Sequence, residues 1–249
     1  MNQFFSFERF RLQVLKHWAD NQKRYMLALL ASTGLLFAWF VLNFFWLQDD
    51  IEDVQQGTYF FVLFAGGAIY TSQYFSHLAS KTKASNLLLL PASTFEKLLC
   101  AIFYTVVLFY LVITASFYIA DALAVAVTNA LADAGGKAKL INVFSLDFFY
   151  FYNDHQKLNF LLFFLSIQAV FLLGSVHFKR YSLIKTLISC FLIALTGMAL
   201  LYTIHVLVTP VDIDEEMPNG MVMLLIVLAY AVAPLLWLAS YFRLKSKQA

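Results

Sequence analysis

The stretch Leu98-Leu-Cys-Ala-Ile-Phe-Tyr-Thr-Val-Val-Leu-Phe-Tyr-Leu-Val-Ile-Thr-Ala-Ser-Phe-Tyr-Ile-Ala120 runs for 23 residues without one charged side chain. About 20 such residues in a helix cross the hydrocarbon core of a bilayer, and a strand of a soluble sheet is far shorter. Five further runs share this character: Met26 to Trp46, Thr58 to Phe75, Leu158 to Val176, Ile184 to Val208 and Met221 to Phe242. None alternates as a barrel strand does, and inside lipid a helix is the remaining way to satisfy every backbone group. The composition agrees, with 61% hydrophobic and 13% charged residues in a chain of 249. The expected fold is all-α, a polytopic membrane bundle of six transmembrane helices. The connections are too short for a second folded domain, so residues 1–249 form one transmembrane domain.

Lysine and arginine orient it. Fourteen of the seventeen fall in the N-terminal segment, the second loop, the fourth loop and the tail, whereas twelve of the fifteen acids fall in the first, third and fifth loops. By the positive-inside rule both termini are cytoplasmic, in an inner or plasma membrane. Cys100 and Cys190 lie just inside the cytoplasmic ends of spans, so a structural disulfide is not expected. The first apolar run follows 25 polar-rich residues and has no small-residue cleavage site, which makes it a span and not a removable signal.

Residues 1–25 have Phe7, Phe10, Val14 and Trp18 on one helical face and Arg9, Gln13, Lys16 and Asp20 pointing away, the pattern of an amphipathic helix in the cytoplasmic interface. The cytoplasmic loop 76–97 is far longer than a helical hairpin needs. Its Leu87, Leu88, Leu89 and Leu90 precede Pro91, and Ser93-Thr-Phe-Glu96 has the spacing of a capping box that starts the third span, with Lys97 beside it. A second, smaller cytoplasmic contact is expected at Lys179, Arg180 and Tyr181. In the long external loop 121–157 the Ala-rich residues 122–134 read as helix, Gly135-Gly136 as a break, and Val143 to Tyr152 as an aromatic segment. Gln168, Gln73, Thr105, Thr114 and Ser116 are expected to make hydrogen bonds between helices. Ala65-Gly66-Gly67-Ala68 is expected to permit close helix approach, and Pro234 to kink the last span.

The chemistry that is missing narrows the function. No span has an acid, lysine or arginine near its midpoint, which an ion-coupled carrier needs. No H-E-x-x-H, G-x-S-x-G, metal-ligand spacing or phosphate loop occurs, so no enzyme activity, metal or cofactor is expected, nor a nucleic-acid partner.

Together, the N-terminal amphipathic segment, six spans with both ends inside, and the loop ending Leu89, Leu90, Pro91, Ser93, Glu96, Lys97 resemble the type-two ABC exporter permeases. The resemblance covers the whole chain in topology and about ten residues in motif. It implies that residues 1–25 are the family's elbow helix, that loop 76–97 carries a coupling helix docking on a cytoplasmic ATP-binding subunit, and that a second permease subunit completes a homo- or heterodimer. An apolar, aromatic interior would suit an amphipathic or lipid-like cargo. One departure is that the family's external hairpin lies between spans five and six, whereas here the long external loop follows span three. The alternative is a non-transporting integral membrane scaffold or assembly subunit, and a less favoured third is a lipid-modifying enzyme.

Overall fold

The computed structural model describes residues 5–46, 51–75, 92–131, 140, 154–178, 180–208 and 219–247. Among these all regular secondary structure is helical. The elements are α1 (Phe7–Trp46), α2 (Ile51–Phe61), a π-helical segment (Val62–Gly66), α3 (Gly67–Tyr74), α4 (Thr94–Ile102), a second π segment (Phe103–Leu108), α5 (Phe109–Leu131), α6 (Asp154–His177), α7 (Ser182–Val208) and α8 (Asn219–Lys245). Both π segments lie inside continuous rods, so α2 to α3 and α4 to α5 are each one helix with a widened turn. Among the described residues, four helices are long and apolar enough to cross a membrane: Phe7–Phe44, Thr94–Leu131, Leu158–His177 and Ser182–Ala199. This is an integral membrane protein. Leu27, Leu30, Leu35 and Leu42 on α1, with Phe191, Ile193 and Met198 on α7, are exposed at more than half of their surface. That much apolar surface suits lipid, which is as apolar as leucine, and not water.

Contacts divide the chain into two units, Met1–Tyr70 with Pro91–Phe164, and Thr71–Leu90 with Leu165–Ala249. In the first, α1 and the α4–α5 rod run parallel, because Arg9 meets Glu96, Val14 meets Tyr104 and Phe40 meets Phe117 in ascending order. The α2–α3 rod runs against both, with Trp39 beside Thr58, and Tyr25 beside Tyr70. The first part of α6 follows α2, placing Phe160 between the rings of Phe60 and Phe64. One end of the core is the apolar set Phe40, Phe44, Tyr59 and Phe117, packed edge-to-face or stacked at 5.0–5.7 Å. Towards the other end lie His17, Tyr25, Tyr70 and Tyr104. There the His17 Nε2 and Tyr25 hydroxyl are 2.7 Å apart, and the Tyr70 hydroxyl donates to that of Tyr25 at 3.3 Å.

In the second unit, the last turns of α6 lie against the start of α7. Gly174 makes this approach possible, since a Cβ there would fall 1.9 Å from Thr186 Oγ1. Ala233, Ser240 and Leu244 of α8 are buried, and α8 continues through Pro234.

Several expectations change here. No break separates residues 7–25 from the first span, because no glycine or proline interrupts 7–33 and α1 is one helix of 40 residues. Its inward stripe passes through Phe10, His17, Tyr25, Leu36, Phe40 and Phe44, so a single face serves the whole length. Arg9 and Gln13 do not point away: Arg9 reaches a buried carboxylate and the Gln13 Oε1 is buried, whereas Phe7, Leu12 and Leu15 are exposed. The helix expected over the Ala-rich residues after Asp121 is present, for α5 continues ten residues beyond that acid to Leu131 without a break. Of the Ala65-Gly66-Gly67-Ala68 stretch, Gly67 and Ala68 are buried, and the space at Gly66 receives the Phe109 ring, whose Cζ lies 3.6 Å from where a Cβ would stand.

Candidate functional site

The start of α4 is built around one acid. Ser93 has extended backbone (φ −66°, ψ 158°), and its Oγ accepts from the Glu96 amide at 3.1 Å. Glu96 Oε2 returns a bond, accepting from the Ser93 amide at 2.8 Å, which completes the capping box expected from the sequence. The other carboxylate oxygen accepts from the Ser6 amide at 2.7 Å and lies 3.0 Å from Arg9 Nη2. Glu96 has no exposed surface, yet each carboxylate oxygen has a donor and its charge has a partner, the conditions under which a buried acid is tolerated. The first turn of α1 is thereby bonded to the first turn of α4. Phe5 packs edge-on to Phe95, and Tyr104, two turns on, donates to the Val14 carbonyl at 2.8 Å.

Of the residues singled out in the sequence, Ser93, Glu96 and Lys97 come together in this junction, with Lys97 3% exposed. Glu96 and Lys97 therefore hold the chain to itself and offer little outward surface. Leu87, Leu88, Leu89, Leu90 and Pro91 lie outside the described residues, as does Lys179. Arg180 is exposed, and Tyr181 is exposed at 74% in the left-handed region (φ 54°), a conformation that costs a non-glycine residue about 1 kcal/mol. Lys185 Nζ stands 5.9 Å over the Phe178 ring.

The polar groups inside the bundle divide in two. Thr114 bonds across to the Tyr59 hydroxyl at 3.1 Å, and Thr71 donates to Gln168, as interhelical bonds should. Thr105 instead returns its proton to Ala101 of its own helix, Gln73 is exposed, and Ser116 Oγ is buried with no partner among the described residues. The pair that sequence reading missed is Gln55 and Asp121, both without exposed surface, Gln55 Nε2 donating to Asp121 Oδ1. The signal was available in spacing, since Gln55 and Tyr59 share one helical face, and Thr114, Phe117 and Asp121 share another.

Between α1 and α2 lies an apolar groove of about 530 Å³, lined by Leu35, Leu36, Trp39, Gly57, Phe61 and Val62 among others. Its Trp39 Nε1 is already spent on Thr58 Oγ1 at 2.9 Å. Among the described residues, no three or more His, Cys, Asp or Glu side chains stand where they would hold a metal ion. Comparison with known protein families, curated proteins and solved structures finds no match to this chain.

Proposed function

We propose that the chain is the permease subunit of an ATP-driven exporter of the type-two ABC class, with six spans, both termini cytoplasmic, and an amphipathic or lipid-like cargo. A second permease subunit completes the pathway, and separate ATP-binding subunits dock on residues 76–90, with a secondary contact at Lys179, Arg180 and Tyr181. The observation that carries the reading is the Glu96 junction. It fixes the first turn of α1 to the start of the α4–α5 rod directly after Leu87 to Pro91. A force applied to the loop by a partner then reaches two long membrane helices together. Glu96 and Lys97 act by positioning, and the partner's footprint falls on the leucines before Pro91.

The lack of ionisable groups at mid-span supports an external energy source, because nothing there would bind a driving proton or sodium ion. The test is purification of the tagged chain in mild detergent with an assay for co-purifying ATPase. An ATP-binding subunit in near-equal amount, lost when Leu87 to Leu90 are replaced by aspartate, is the expected result. Absence of any nucleotide-binding partner across several detergents overturns the exporter and leaves the scaffold. Impermeant thiol labelling of cysteines placed at residues 2 and 249 checks the topology, and labelling from the outside would refute it.

A further inference from the structure

Three helix ends converge in the second unit. Lys247 Nζ donates to the Val176 carbonyl in the last turn of α6, and Thr186, in the second turn of α7, presses on Gly174 of the same stretch. Residues far apart in sequence are thus gathered: Arg180 and Lys185 from the turn into α7, Arg243 and Lys245 from the last turn of α8, and Lys247 beyond it. Arg180, Lys185, Arg243 and Lys245 are all exposed. No acid answers them along the chain, since residues 155–211 and 217–249 contain neither Asp nor Glu. We propose that these converging ends of α6, α7 and α8 bind the anionic headgroup of a phospholipid.

The chemistry that recognises the ligand is a phosphate anion beside apolar surface. Arginine meets phosphate with a planar fork, and lysine with a point charge. The amides that open α7 point their hydrogens out of its first turn, and a long helix is positive at that end. A headgroup is favoured over a free anion because the cations ring the ends of apolar helices. The exposed side chains directly beside them are Tyr181 at 74% and Phe242 at 58%, the aromatic surface that belongs at the headgroup level. Orientation needs no charge this dense at one spot, for the rule that sets topology counts cations per loop and does not gather separate loops together. The inference needs only that these helices lie in a bilayer and is independent of the exporter reading.

The experiment measures thermal stabilisation of the detergent-purified chain by added phosphatidylglycerol, with phosphatidylcholine and inorganic phosphate as parallel arms. Phosphatidylglycerol alone should stabilise, and raising the salt towards molar should remove the effect in the unaltered protein. Each cation near an anionic surface strengthens attachment about fivefold, so Arg180→Gln with Lys245→Gln should raise the half-saturating lipid concentration about thirtyfold. That variant keeps Lys179, Lys185, Arg243 and Lys247, and so keeps the topology signal. Lys137→Gln with Lys139→Gln removes the same charge from the third loop and should leave the titration unchanged. Equal stabilisation by phosphatidylcholine, saturation by inorganic phosphate, insensitivity to salt, or an equal loss in the third-loop control would each overturn the proposal.

Discussion

Replacing Glu96 by alanine should loosen the junction of α1 and α4 by about 3 kcal/mol. Losing the capping-box return bond to Ser93 costs about 1 kcal/mol. Losing the charge-assisted bond from the Ser6 amide costs about 2 kcal/mol. The Arg9 pair adds little, because its side chain is 37% exposed and water replaces the lost partner. Cys100 is a built-in reporter, one turn beyond Glu96, 1% exposed and in no disulfide. With Cys190→Ala removing the other thiol, the rate at which a maleimide labels Cys100 measures local opening. Every 1.4 kcal/mol is tenfold, so labelling should accelerate about a hundredfold in Glu96→Ala. Glu96→Gln keeps one acceptor oxygen and should give about tenfold, and Arg9→Gln, which leaves the fully buried carboxylate without its counter-charge, should give about tenfold or more. A Glu96→Ala rate within about twofold of the parent, the range of an ordinary surface change, would refute the assignment of Glu96 as the fastener.

Gly174→Ala drives a Cβ into Thr186 and should lower stability by about 2 kcal/mol, seen as a lower thermal midpoint in detergent. Thr186→Ala in the same chain removes the Oγ1 and Cγ2 atoms in the way and should recover part of the loss, while a double variant as weak as the single one would count against the contact. Gln55→Leu withdraws a donor from fully buried Asp121 and should cost about 2 kcal/mol by the same measurement. Asp121→Asn keeps an acceptor for Gln55 Nε2 and should cost less. A Gln55→Leu protein as stable as the parent would show that the pair does not hold the rods together.

The sequence carried the helices well, because a run of apolar residues long enough to cross lipid has one stable conformation there. The capping box was equally readable, since its two bonds join residues three apart and need no knowledge of the fold. The second partner of Glu96 was not, for the Ser6 amide and Arg9 are about ninety residues away and only tertiary packing brings them near. The helical wheel of residues 1–25 misled for a related reason. It assumes that water takes the polar face, whereas here a buried carboxylate claims Arg9. The partner of Asp121 was equally hidden, because Gln55 is 66 residues away and only the packing of two helices brings its amide to that carboxylate. The leucines before Pro91 remain legible only as a pattern.

The two widened turns, Val62–Gly66 and Phe103–Leu108, stand at one level, where the space left by Gly66 takes the ring of Phe109. A helix advances about 100° per residue, so a widened turn that takes up one extra residue shifts by that angle which sequence positions share a face across it, without ending the rod. Each rod thus presents a different meridian to its neighbours above and below that level. The aromatic and hydroxyl contacts at one end and the apolar rings at the other do not share a single helical phase. Chain length in these rods is consequently a variable of rotation as well as of height: a residue removed from a widened turn restores the ordinary winding and keeps the faces beyond it, whereas one removed elsewhere turns half a helix against a partner that has not turned.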